Sequence, residues 1–208
     1  MTASPCRIGL VLFDFGGVLA LEGFREGLKE IAYENGLDPE EFARKGRELV
    51  HSTGYVTGKA GENTYWNVLR RETGITGSDQ ELRSRVLSRF VPRPEMIEIA
   101  SRLRKHGLPA AVLSDQTNWL DELDQKYHFS HLFKEIFNSF HMGISKKDPE
   151  IFTSVCEKMG MGPSDTLFVD DTPDNTDRAR SQGLHALVFR NVPQFKDDFS
   201  DYCPGLQT

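Results

Sequence analysis

Ile8 to Leu19 reads IGLVLFDFGGVL, and no other stretch restricts the fold of this chain as tightly. Six apolar or small residues lead into Asp14, and Gly16 and Gly17 follow two positions later. A short continuous apolar run bounded by turn residues is the pattern of a strand buried on both faces. The strand therefore ends on a carboxylate, beside backbone that can bend sharply because glycine carries no Cβ. In an open parallel sheet ligands bind outside the carboxyl ends of the strands, which puts Asp14 where a substrate would arrive. Asp and Gly are also common turn residues, and taken alone the motif reads more readily as a turn than as a site. The rest of the chain decides between the two.

From Arg93 onward, helix-like and strand-like patterns alternate. PEMIEIASRLRKHG is amphipathic, with Pro94 at its start and Gly107 at its end, and the apolar LPAAVLS then runs into Ser114 and Asp115. TNWLDELDQKYHF reads as the next helix and FKEIFNS as a short strand; a loop, HMGISKKD, carries Lys146 to Pro149, where PEIFTSVCEKMG begins another helix. DTLFVDD is a fourth strand, closing on Asp170 and Asp171; TPDNTDRARSQG is a helix with Pro173 in its first turn, and HALVF is the last strand. Residues beyond Phe189 read as a surface tail or final turn. Such alternation predicts an α/β fold, a parallel sheet with right-handed crossovers and helices on both faces. Asp14, Ser114, Lys146, Asp170 and Asp171 each fall at or just beyond a strand end, so the sheet gathers them along one edge.

Between Leu21 and Phe90 the pattern is helical throughout: FREGLKEIAYENG, PEEFARKGRELVHS, ENTYWNVLRRETG and DQELRSRVLSRF space their apolar residues by three and four. The expected organisation is an α/β core from residues 1–20 and 92–208, with an all-helical cap, 21–91, inserted after the first strand. Within that insert the glycine-rich TGYVTGKAG loop is the expected substrate-selecting element.

Several acids converging on one point repel one another unless a cation joins them. A hard ion such as Mg2+ takes one or two carboxylates and accepts a substrate phosphate. Lys146 balances the remaining negative charge, Ser114 can donate to a phosphate oxygen, and Asp14 can attack phosphorus. The formal charge of -6 and the lack of a long basic run exclude non-specific binding to nucleic acid or to an anionic membrane. The N-terminal apolar run is far shorter than the ~20 residues of a membrane span, and a cytoplasmic protein is expected. Cys6, Cys156 and Cys203 are scattered, with no CxxC pair, and are expected to be reduced and unpaired. His128 and His131 lack a third ligand and read as packing or surface residues, and Trp66 and Trp119 read as core.

FDFGGV, VLSD, the lysine of GISKKDPEIF and FVDDTPDN resemble, in order and spacing, the four motifs of the haloacid dehalogenase superfamily of hydrolases. The resemblance covers nearly the whole chain and implies a Rossmann-like core with the small helical cap of type I members. It is nearest to phosphatases with a DxGxV first motif, including sugar-phosphate phosphatases. It implies Mg2+-dependent hydrolysis of a small phosphorylated metabolite through an aspartyl-phosphate. By the same resemblance Asp14 is the nucleophile, Ser114 a phosphate ligand and Lys146 the lysine that steadies both. Asp171 touches the metal, together with Asp14 and the Gly16 carbonyl; Asp170 either pairs with Lys146 or holds a metal-bound water. Asp174 and Asn175 support the metal site or cap the helix.

Three positions depart from that pattern. Gly16 stands where most phosphatases of the family carry a second Asp as general acid and base, Asp115 replaces an Asn, and Lys147 replaces a Pro. Asp115 is then protonated, turned away, substrate-binding or a substitute acid. Two other readings follow from these departures: a non-catalytic binding or regulatory protein, and a metal-independent 2-haloacid dehalogenase, which would not need the Asp170-Asp171 pair. Neither the substrate nor the oligomeric state is legible.

Overall fold

Five strands line up side by side in the order β3-β2-β1-β4-β5, with every pairing parallel. They are β1 (Leu10–Phe13), β2 (Ala110–Ser114), β3 (Ile136–Asn138), β4 (Thr166–Asp170) and β5 (His185–Val188), in a computed structural model that describes residues 6–206. The central strands are apolar throughout because both faces of the sheet are covered. Alternation along β1 divides its side chains: Val11 and Phe13 join one core cluster, and Leu10 and Leu12 the other. Phe13 pairs with Val112 on one side and Val169 on the other, so Asp14 leaves β1 beside the tips that carry Ser114 and Asp170. The Asp14 amide donates to the Val169 carbonyl at 2.9 Å, holding that exit in register.

Four consecutive helices follow β1: α1 (Gly23–Glu34), α2 (Pro39–Ser52), α3 (Glu62–Thr73) and α4 (Asp79–Arg89). Their starts are written locally. Asp38 caps α2, accepting from the Glu41 amide at 2.8 Å with Pro39 in the first turn, and Ser78 and Glu81 form a reciprocal capping box on α4. A Cβ on Gly27 would stand 2.4 Å from the Val86 Cα, so α1 and α4 pack this closely only because that residue is glycine.

The remaining helices are α5 (Pro94–Lys105), α6 (Trp119–Tyr127), a single turn α7 (Ser139–Met142), α8 (Glu150–Met159), α9 (Pro173–Ser181) and α10 (Val192–Ser200). Trp119, at the start of α6, joins the sheet loops to the first four helices. It stacks on Trp66 of α3 at 5.8 Å and meets Phe24 of α1 at 6.1 Å and Tyr55 at 5.7 Å. Both tryptophans are wholly buried, as core residues. The Tyr55 hydroxyl donates to Asn118 Oδ1 at 2.7 Å, and the Ser139 hydroxyl to the Val56 carbonyl at 2.7 Å. Each contact crosses from the helical segment to a loop beyond a strand tip.

Three expectations are corrected. The stretch after Phe189 is not a tail: α10 buries Phe195 and Phe199 completely, with Phe195 also 6.0 Å from Phe13. Their i, i+4 spacing was present in a segment too short and too polar for its period to stand out. The HMGISKKD loop begins inside a helical turn, α7. Cys6 and Cys203 form a disulfide although 197 residues separate them, because the chain ends meet where the Arg7 amide donates to the Tyr202 carbonyl at 2.8 Å. Cys156 stays free and buried. His128 ends α6 in the left-handed region, and its carbonyl lies 2.6 Å from His131 Nδ1, so both histidines serve the local turn. Among the described residues no helix is long and apolar enough to cross a membrane.

Truncating Phe195 to Ala is expected to cost about 3 to 5 kcal/mol in urea unfolding, the usual range for a buried phenylalanine. A loss below about 1 kcal/mol would show that α10 is not docked as described.

Candidate active site

Lys146 lies 1% exposed among the strand tips, an unusual place for an ammonium group. Its Nζ is 2.6 Å from Asp170 Oδ2 and 3.0 Å from Asp14 Oδ2. Burial alone would pull the lysine pKa down; the carboxylates of Asp14, Asp170 and Asp115 more than reverse this and leave it raised, so the group stays charged. Asp170, fully buried at the end of β4, also accepts from the Thr172 amide at 2.8 Å and from Asn175 Nδ2 at 3.2 and 3.1 Å. At this strand tip Asp170 pairs with Lys146. Asn175 supports it, while Asp174 is exposed and 3.9 Å from Arg178.

Asp14 Oδ1 accepts from the Phe15 amide at 2.7 Å and the Ser114 hydroxyl at 2.6 Å, so three elements fix one carboxylate. Burial pushes its pKa up, and Asp170 and Asp171 add to that, against the pull of Lys146 and Ser114. Asp115 Oδ1 accepts from the Lys146 amide at 2.9 Å, tying the tip of β2 to the lysine loop. Its carboxyl also lines the cleft, and burial raises its pKa. Burial and then Asp170 push Asp171 up as well. A Cβ on Gly17, where φ is +82°, would sit 2.2 Å from Asp171 Oδ2; only glycine lets the loop after β1 close on that acid.

Asp14, Asp170 and Asp171 each offer a carboxylate oxygen within 4.8 Å of the others. Three acids face one lysine, which leaves a surplus of negative charge served only by hard oxygen donors. That donor set fits a hard divalent cation. At Gly16 a Cβ would meet only Gln116 Nε2 at 3.4 Å and Phe90 Cε1 at 3.5 Å, so the position lacks an acid although there is room for one.

The group forms the floor of a cleft of about 590 Å3, within the range of small-molecule sites. Its upper wall comes from α1 and α2 and carries Glu22, Phe24, Arg47 and His51, with Lys147 facing them. The sequence reading missed these residues. Arg47 and His51 are four apart on an amphipathic helix, and a polar face looks the same in sequence whether it meets solvent or a cleft. TGYVTGKAG contributes only Val56 to the lining.

Comparison with known proteins agrees with this geometry. Residues 8–183 match the haloacid dehalogenase-like hydrolase family. A Mycobacterium tuberculosis phosphatase is 23% identical over 197 residues, spanning 91% of this chain and 91% of its own. A HAD family enzyme of Bacteroides thetaiotaomicron, solved in complex with magnesium and inorganic phosphate, superposes with a TM-score of 0.69 at 22% identity, covering 88% of this chain and 94% of that one. The L-2-haloacid dehalogenase of Xanthobacter autotrophicus superposes at 0.64, with 20% identity over 86% of this chain and 76% of its own. At these identities the two structures share the fold. The chain spans 20% to 43% of the length of the first curated relatives it matches.

Lys146→Met would leave Asp14 and Asp170 buried without their cation, at an expected cost of about 3 to 5 kcal/mol near pH 7. Without the lysine the pKa of Asp14 rises further above its unfolded value. Protonation then favours the folded state, so the gap to wild type is widest above the Asp14 pKa of about 8 and narrows as pH falls from about 9 to about 7. Urea unfolding of both proteins at the two pH values checks this; a gap that widens toward acid would contradict it.

Proposed function

The chain belongs to the haloacid dehalogenase-like hydrolase family, and on that premise we propose that it hydrolyses a small phosphate monoester with Asp14 as nucleophile. The observation that carries this reading is the shared lysine: Lys146 bridges Asp14 and Asp170, with Asp171 beside them. A metal-independent dehalogenase has no use for that acidic pair, and a pure binding protein has no use for an intact nucleophile. The phosphatase among the relatives, and the neighbour solved with magnesium and phosphate, support the choice. In this reading residues 21–91 are a cap over a core of 1–20 and 92–208.

Asp14 attacks phosphorus, forming a carboxyl O–P bond while the ester O–P bond breaks and the leaving oxygen takes a proton. Water then cleaves the aspartyl-phosphate, releasing inorganic phosphate and restoring the carboxylate. Lys146 pulls the Asp14 pKa down against its burial and offsets charge on the phosphoryl oxygens, and Asp170 and Asn175 hold the lysine in place. The Ser114 hydroxyl, now donating to Asp14, turns to a phosphoryl oxygen when substrate arrives. A divalent cation such as Mg2+, held by Asp14, Asp171 and the Gly16 carbonyl with Asp170 beside them, supplies the positive charge that three acids and a phosphate require.

Gly16 cannot protonate a leaving group. General acid catalysis contributes about 10^2 to 10^4 in rate, so substrates whose leaving group departs easily, aryl or anomeric sugar phosphates, are favoured.

Hydrolysis of p-nitrophenyl phosphate should require Mg2+ and fall by roughly a thousandfold or more in Asp14→Asn. Absence of turnover, or turnover indifferent to Asp14, overturns the phosphatase reading; chloride release from a 2-haloacid would favour the dehalogenase. Gly16→Asp places an acid where a Cβ meets ordinary contacts, and should raise kcat on a primary alkyl phosphate by about tenfold or more. No gain there, with aryl phosphate turnover intact, would mean that another group already supplies the proton.

A further inference from the structure

A transferred phosphoryl group is met at the cleft floor, where Lys146 is already engaged by two carboxylates. The wall above carries positive charge that this step does not use. Resting on the phosphatase reading, we propose that the substrate carries a second anionic group, a carboxylate or a phosphate, seated between Arg47, His51 and Lys147.

All three residues line the same cleft. Arg47 and His51 are one helical turn apart on α2, so they share a face, and Lys147 approaches from the loop that also delivers Lys146. Two other arginines on this wall are already paired: Arg25 with Glu40 at 2.8 Å and Arg44 with Glu48 at 2.6 Å. Among the described residues, neither the Arg47 nor the Lys147 side chain makes a hydrogen bond or ion pair, and the His51 ring has no hydrogen-bond partner. Three adjacent polar side chains on a concave wall, all without partners, form a receptor for an acceptor that comes from outside.

The electrostatics point the same way. Burial, then Lys147 and Arg47, pull the His51 pKa down to about 4, so both cations bear on one imidazole that stays neutral. Two like charges brought together around a half-buried ring repel each other until an anion enters between them. Glu22 lies within the field of Arg47, yet its carboxylate is committed to capping α1, accepting from the Arg25 amide at 2.7 Å. A cleft of about 590 Å3 accommodates a small molecule charged at both ends, with one anion on the floor and the other on the wall.

The test uses matched pairs that differ only in the second charge: 3-phosphoglycerate against glycerol 3-phosphate, and glucose 1,6-bisphosphate against glucose 1-phosphate. The first pair reads a carboxylate and the second a phosphate. Wild type should favour the doubly charged member of at least one pair in kcat/KM. Arg47→Ala and Lys147→Ala should each cut that preference about tenfold, as expected for one charge-assisted hydrogen bond. Calorimetric binding of the same pairs to Asp14→Asn protein reads the same ratio without turnover. The subsite is therefore judged even if no phosphate is released, while absent p-nitrophenyl phosphate hydrolysis would count only against the phosphatase reading. No preference in either pair, or a preference that survives both substitutions, overturns the proposal.

Discussion

The ammonium of Lys146, shut away from water between Asp14 and Asp170, is the interaction on which the rest of the site depends. A buried charge costs several kcal/mol unless it is paired and its partners are themselves hydrogen-bonded. Here four elements at the sheet edge help to meet that cost. β1 delivers Asp14, β2 delivers Ser114 to bind it, β4 delivers Asp170, and α9 delivers Asn175 to bind Asp170. A parallel sheet is the architecture that can do this, since all its strands end on the same side and residues more than a hundred apart in sequence meet there. Even Asp115, unusual at its position, is bound to the backbone of Lys146 and so helps aim the lysine.

Above that floor the helical segment serves two purposes through different chemistry. Its aromatic residues close around Trp119 and anchor α1 and α3 to the loops of the sheet, with Tyr55 and Val56 bonded across the same seam. Its charged face, on α2, is held over the cleft by that anchorage. In the proposed reading the floor takes a phosphoryl group and the wall meets what is attached to it. Gly17 sets the limit on the closeness of the floor, because any Cβ there would collide with Asp171.

Much of this was written in local sequence. Apolar runs ending in polar tips located β1, β2 and β4, and the alternation with helices located β3 and β5. The helices α2 and α4 were legible by their apolar spacing, and the structure shows their starts fixed by Asp38 and by the capping box of Ser78 and Glu81. Asp14, Ser114, Lys146, Asp170 and Asp171 could be placed on one edge because alternating strands and helices imply a parallel sheet. What escaped depends on long-range packing. Cys6 and Cys203 pair only because Arg7 and Tyr202 meet in the folded chain, and α10 is stabilised by Phe195 packing on Phe13 of β1 and Phe199 on Phe195 rather than by its own propensity. Arg47 and His51 belong to a helix face whose orientation no period can reveal. Whether Asp170 paired with Lys146 or turned to a metal was likewise a question of side-chain direction at a strand end.

The central claim, that Asp14 becomes covalently phosphorylated, is tested most directly by trapping the intermediate. Protein mixed with p-nitrophenyl phosphate and Mg2+, quenched rapidly and reduced with borohydride, converts an acyl phosphate into the corresponding alcohol, which peptide mass spectrometry locates. The account predicts reduction at Asp14 alone, dependent on substrate. Reduction at Asp115 or Asp171 instead, or substrate turnover with no reducible residue, would contradict it.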